Sequence, residues 1–352
     1  SSNGTAAFSI PLPLSPNRNG FTPSLSVTYN SGAGNSILGI GWSFDLPAIQ
    51  RKTDKQLPRY RDFTTEEDTF MFSGVEDLVP VMDQISDRWV VRETAAASYS
   101  VREFRPRIEG SFSRIERIAH PVHGLYWRVM TRDNVTTIFG RSASCRITDP
   151  EDETGSRIFQ WLPELSFDDK GSVIVFEYKA EDSEDVRADI FNRNRLKDGG
   201  RLRFTNLYLK RVKYGNSTAF YPYNDPEVSP WDPPTPPADM LWHFEPVFDY
   251  GDHDADHPAP DDTGIWPGRP DPFSNYRAGF DISTCRLLKR VLMFHRFQSL
   301  REGIPTLVRS LDFQHAVSDG VLPVRRTELE FLQSITQSSY QWNGRDYSKK
   351  SL

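Results

Sequence analysis

Residues 20–51, GFTPSLSVTYNSGAGNSILGIGWSFDLPAIQR, read as strand, glycine hairpin, strand. On the first arm Leu25, Val27 and Tyr29 alternate with Ser24, Ser26 and Thr28, the period of two that gives a sheet one buried face. The turn from Asn30 to Ser36 carries small residues and two glycines, which take positive φ without a Cβ clash. Beyond it Gly39 and Gly41 alternate with Leu38, Ile40 and Trp42, so one face of that arm has no side chains. Another backbone or a large aromatic ring is expected to approach there, with Trp42 as the nearby occupant.

Short strands continue outward from this hairpin. Upstream, TAAFSIPLPL (residues 5–14) places Phe8, Ile10, Leu12 and Leu14 on one side, and its prolines assign it to an edge or to the start of a sheet. Downstream, the mixed charges from Arg51 to Asp68 read as a solvated face. Strand-like pieces follow at residues 69–72, 78–81, 89–91, 99–104, 114–118, 126–131, 136–139 and 145–147, separated by Gly, Asp, Asn or Pro turns. In SRIFQWLPELSFDDKGSVIVFEY (residues 156–178) two strands flank the turn Asp168-Asp169-Lys170-Gly171. Two later segments echo each other, LKRVKY at 209–214 and LKRVLMF at 288–294; in each, Leu and Val are read to one face and the basic residues to the other. Residues 180–200 are the one helical candidate, stopped by Gly199-Gly200. Residues 220–239 hold seven prolines and are expected to form an extended loop, and 251–262 form an acidic loop. Strands at 240–250, 306–314 and 322–335 complete an all-β reading of large, meandering antiparallel sheet with at most short helices.

The totals agree. Aromatic content of 12 % and 26 prolines, with few Ala/Leu/Glu/Lys runs, favour strands and loops. A net charge of -6 gives no basic field, which excludes nucleic acid as an expected partner. Cys145 and Cys285 stand far apart with no CxxC spacing and are read as two separate thiols, although a single bridge between them stays open. No secretory leader is visible, and no apolar run approaches the roughly 20 residues that span a bilayer.

The run from Gly4 to Thr53 closely resembles the opening of the SpvB-type domain, which is N-terminal in the bacterial toxin SpvB and in TcB (TcaC-like) subunits of insecticidal toxin complexes. The resemblance continues through Asp68-Thr69-Phe70, Arg114-Ile115-Glu116-Arg117, FDYGDHD at 248–254 and RPDPFSNYRAGFDISTCRLLKRVLMFHRF at 269–297. It implies a single β domain over 1–352, part of a hollow shell that encloses a cytotoxic polypeptide with an RHS-repeat (TccC-like) subunit. It also implies that propeller, RHS and toxin domains lie outside this chain. The implied partners are those other domains or subunits and the enclosed toxin chain. The implied location is extracellular, with a cytoplasmic stage before release. The role so implied is structural packaging without catalysis and without a cofactor. The alternative from the residues is a free-standing module that binds a carbohydrate or a host protein through the proline loop.

Asp252, Asp254 and Asp256 recur at every second position as in a calcium loop, but no glycine follows at the sixth position and no glutamate closes at the twelfth. His253 and His257 would suit zinc only on a helix, which Pro258 and Pro260 oppose. The loop therefore reads as mobile and acidic. The resemblance brings in a third reading, ADP-ribosyltransferase, which in the family uses an arginine, a Ser-Thr-Ser strand and a Glu-x-Glu pair; Ser283-Thr284 and Glu328-Leu329-Glu330 match the last two only superficially. His295 between aromatics reads as a hydrogen-bonded structural residue. Trp231 and Trp266, set among prolines, are expected at the surface as partner contacts.

Overall fold

The computed structural model describes residues 6–62, 68–96, 98–108, 113–186, 204–322 and 325–351. Nearly all regular structure in them is antiparallel strand; helix is confined to the turn Gln298–Arg301 and the 3-10 turn Ala143–Cys145.

One half of the large sheet closes on itself. The strands Ile49–Arg51, Phe70–Phe72, Glu76–Pro80, Tyr99–Pro106, Arg114–His120, Gly124–Met130 and Thr136–Phe139 pair in succession, and the last pairs with Pro163–Phe167. Just upstream of Pro163, Ile158–Trp161 pairs back with Ile49–Arg51, which completes the barrel. The run changes neighbours at Leu162, which donates to Cys145 O and accepts from Gly140 N–H. Pro163 then brings no N–H, so no donor is stranded at the crossing.

The barrel is filled. Phe70, Phe104, Trp127 and Trp161 pack against one another with centroids 5.0 to 5.9 Å apart. Arg51 and Arg117 lie in the same interior. Arg51 meets Asp62 at 2.7 Å and Asp68 at 2.6 Å, and its Nε donates to Ile158 O at 2.7 Å. Part of the charged segment expected to face solvent thus turns into the barrel, because Asp62 and Asp68 neutralise a guanidinium stacked among aromatic rings.

From Pro163–Phe167 the sheet runs on through Val173–Ala180, Leu207–Asn216, Trp242–Asp249, Arg290–His295, Thr306–Leu322, Arg325–Trp342 and Tyr347–Ser351. The small sheet Ala7–Pro11, Ser26–Asn30, Trp42–Asp45 lies on it, with the proline-bearing strand at the edge. Ile10, Val27 and Phe44 share its inner face and pack with Leu12, Leu25 and Leu38 on Val212, Phe248, Val291 and Leu311.

The second hairpin arm begins later than its alternation suggests. Gly39 and Gly41 have φ of +92° and +81°, so residues 37–41 form turns and the strand starts at Trp42. The bare face is used as expected at Gly39, where a Cβ would lie 2.7 Å from Glu330 O. At Gly41 the occupant is the ring of Tyr29 rather than Trp42.

Strict alternation in LKRV would place Leu209 with Arg211. A register shift at Lys210 against Glu177 and Tyr178 instead brings Leu209 and Val212 to the same core. The helical candidate at 180–200 falls mostly on residues outside those described; 181–186 form no helix, and Glu181 and Asp182 bind Arg286. Cys145 and Cys285 are buried and form no disulfide, and burial pushes the Cys145 thiol up to about 12.

Candidate functional site

The acidic loop is pinned rather than mobile. The two LKRV strands flank Trp242–Asp249, so their basic residues stand on either side of the strand that feeds the loop. Lys210 Nζ is 2.7 Å from Asp252 Oδ2, and Lys179 Nζ reaches Asp252 at 3.1 Å and Asp262 at 2.6 Å. Arg211 holds Asp261 at 2.9 Å; Arg290 holds Asp249 at 2.6 Å and donates to the carbonyls of Asp254 and Ala255. Burial alone would raise the Asp252 carboxyl, but the Lys210 ammonium beside it holds it below its ordinary range. Burial, and then the charge of Lys210, push His253 below its ordinary range. Its Nδ1 donates to Ala259 O at 2.9 Å, leaving Nε2 to accept from Lys210 at 2.8 Å.

The calcium-like trio does not assemble. Asp252 is buried, whereas Asp254 and Asp256 are exposed, and Asp254 accepts from the N–H groups of Asp256 and His257. The ligand atoms that do gather belong to Asp249, Asp252 and His253, and the Lys179 and Lys210 ammoniums already neutralise Asp252 there. This cluster is an ionic anchor.

Trp266 corrects the expectation of exposure. It is fully buried, with Arg286 4.0 Å above its ring, Lys179 at 4.3 Å and Tyr208 at 5.4 Å. Arg286, itself tied to Glu181, needs a desolvated aromatic face, and Trp266 supplies it. A buried indole offers nothing to a partner.

Trp231 is half-buried in the proline segment, which forms a strap across the outside of the barrel. On the strand Gly124–Met130, Trp127 and Val129 point inward while Tyr126 and Arg128 point to the strap, donating to Trp231 O and Pro230 O. Arg141 donates to Pro233 O and pairs with Asp232 at 3.4 Å. His120 Nε2 is 3.5 Å from Asp232, and the His120 and His123 rings stack at 4.5 Å. These three could suggest a metal site. His120 Nδ1, however, accepts the N–H groups of Val122 and His123, so in neutral imidazole the proton sits on Nε2, the atom a metal would need. Beneath the strap's first turn lies a cavity of about 480 Å3.

The SpvB model, described as the Salmonella virulence plasmid 65kDa B protein, matches residues 1–297. This chain belongs to the SpvB family. The mono(ADP-ribosyl)transferase SpvB of Salmonella typhimurium is 35 % identical over 319 residues, 88 % of this chain and 51 % of that protein. The Salmonella dublin protein is likewise 35 % identical over 319 residues, 88 % of this chain and 50 % of that protein. The chain thus spans about half the length of the curated SpvB relatives it matches. Among solved structures, the N-terminal domain of effector SpvB from Salmonella typhimurium strain LT2 superposes with a TM-score of 0.77 at 31 % identity, over 95 % of this chain and 99 % of that one. TcdB2-TccC3 superposes at 0.78 and 32 %, over 98 % of this chain and 16 % of that one. The Tc holotoxin pore of Photorhabdus luminescens gives 0.78 and 32 %, with 98 % and 15 % covered.

The SpvB-family region in this chain therefore corresponds to the N-terminal domain of SpvB and to the TcdB2-TccC3 shell region, rather than to a transferase part. Its Glu330 is buried in the long strand Arg325–Trp342, where its carbonyl accepts from Ile40 N–H and its N–H donates to Asp271. Ser283 is likewise bound within the fold, to Asp281 and Ser274. The side chain of Glu328 lies outside the described residues. His295 matches its expected structural role, bonded to Ser15 at 2.6 Å. The strap clamps Tyr126, Arg128 and Arg141 escaped sequence reading, because nothing local ties them to a loop about a hundred residues away; the His-x-x-His spacing at 120–123 was the one available signal.

Proposed function

We propose that this chain is a non-enzymatic wall domain of a bacterial toxin, contributing to the shell or delivery part that carries a cytotoxic polypeptide and acting outside the producing cell. The observation that carries the proposal is the backbone match over 98 % of the chain to TcdB2-TccC3. Two features of the fold support it. The barrel is packed with aromatic rings and paired arginines, so any cargo lies against the outside of the sheet and not within this barrel. The sheet also ends on the strand Tyr347–Ser351, whose outer edge pairs with no other strand among the described residues and can accept one from a neighbouring module.

The test is co-production with an RHS-repeat subunit that carries a cytotoxic C-terminal polypeptide, followed by size exclusion, electron microscopy and limited trypsinolysis. The expected result is a hollow particle with this chain in its wall and a protease-protected cargo. A chain that stays apart from the RHS subunit at micromolar concentration sinks the proposal and leaves the free-standing binding module. NAD hydrolysis abolished by Glu330→Gln would replace both with the transferase.

A further inference from the structure

We infer that the cavity beneath the strap's first turn is a binding site for a neutral hexose unit, a role that goes beyond the packaging function and does not depend on it. The cavity, about 480 Å3, lies between the barrel strands and residues 221–224. That volume falls within the range of small-molecule sites. One flank is aromatic. Tyr221 and Tyr223 are 45 % and 41 % exposed, which leaves ring surface for a ligand. Both rings are nonetheless fixed in place. Tyr221 rests on Gly171, where a Cβ would lie 2.9 Å from its Cζ, and its hydroxyl donates to Lys170 O at 3.3 Å. Tyr223 donates to Pro230 O at 3.0 Å and meets Phe167 edge-on at 5.7 Å. Rings held this way lose little entropy when the C–H face of a sugar stacks on them.

The lining also offers polar groups. Asn134 Nδ2 donates to Asp169 Oδ2 at 2.9 Å, and Asn134 is held in the left-handed region at φ +58°. An amide and a carboxylate locked side by side retain acceptor capacity for adjacent hydroxyl groups. Charge weighs against an anionic ligand. Arg114, the cation of the lining, lies 2.7 Å from Glu116, which it shares with the buried Arg128, while Asp168 and Asp169 both border the space. A phosphate or acidic sugar would meet two carboxylates against one partly neutralised cation; a neutral polyol meets a stacking face and hydrogen-bonding groups.

Saturation-transfer NMR on the whole chain with D-glucose, D-galactose, D-mannose and N-acetyl-D-glucosamine at millimolar concentration tests this. At least one hexose is expected to bind, with affinity falling about tenfold in Tyr223→Ala and in Asn134→Gly, a loss of about 1.4 kcal/mol, and surviving in Tyr223→Phe. Asn134→Gly keeps the positive φ, so it reports on the site even if Tyr223→Ala loosens the strap. The inference is overturned if none of the four sugars saturates, if saturation is indifferent to both variants, or if only inorganic phosphate binds.

Discussion

Lys210 Nζ lies 2.7 Å from Asp252 Oδ2, with Lys210 only 6 % exposed and Asp252 not at all. This contact is the most buried anchor of the loop after Trp242–Asp249, which Lys179, Arg211 and Arg290 also hold. Lys210→Met leaves Asp252 with Lys179 alone, and removing one partner of a buried pair costs about 3 kcal/mol or more. Urea unfolding should show that loss, and Lys210→Met combined with Asp252→Leu should recover part of it. A single change costing less than about 1 kcal/mol would mean that the loop is held elsewhere.

Stability should fall on mild acidification. Burial pushes His295 down to about 4, with the charge of Arg309 adding, and burial and then Lys289 do the same to His315. Above the ordinary value of 6.5 both are neutral in either state and contribute nothing. Between 6.5 and 4 the unfolded chain takes up protons that the folded chain refuses, so stability drops progressively, by at most roughly 3 kcal/mol per histidine. Denaturation midpoints at pH 7 and pH 4.5 measure the drop, and His295→Gln should reduce it. An unchanged pH dependence in that variant would contradict the burial of a neutral ring.

Gly39 joins the small sheet to the long hairpin. Gly39→Ala places a Cβ 2.7 Å from Glu330 O at a φ of +92°, so both sterics and backbone oppose it. A destabilisation of about 2 kcal/mol or more is expected. By contrast Gly74→Ala, at φ +70° with open space around it, should cost only about 1 kcal/mol. Thermal melts of the two variants side by side separate the contact from the conformation.

Fluorescence quenching distinguishes the tryptophans. Trp89, on the hairpin Met82–Ile85/Arg88–Val91, is 66 % exposed, and Trp266 is fully buried. Trp89→Phe should lower the fraction of emission accessible to iodide, whereas Trp266→Phe should raise it. The reverse pattern would return Trp266 to the surface.

Strand positions were the most legible part of the sequence. Periods of two, turn residues and prolines mark elements whose pairing partners are close in the chain, such as Arg114–His120 with Gly124–Met130. The buried arginines were not legible, because Arg51 looks solvated until Asp62, Asp68 and Trp161 are placed around it. Trp266 misled for a related reason: neighbouring prolines suggest an exposed loop, but Arg286 and Lys179 enclose the ring from strands and loops distant in sequence. The acidic loop misled likewise, since its cations lie across the sheet on the LKRV strands.

Alternation and turn chemistry act over a few residues, and they sufficed for the all-β class, the strand-turn-strand character of residues 26–45, the edge position of the first strand and the family. Tertiary structure alone decided where the barrel closes, how a bulge at Lys210 turns Leu209 and Val212 to one core, and which charges are buried. Those outcomes depend on desolvation and on partners brought together by the sheet, and neither is encoded in the spacing of neighbours.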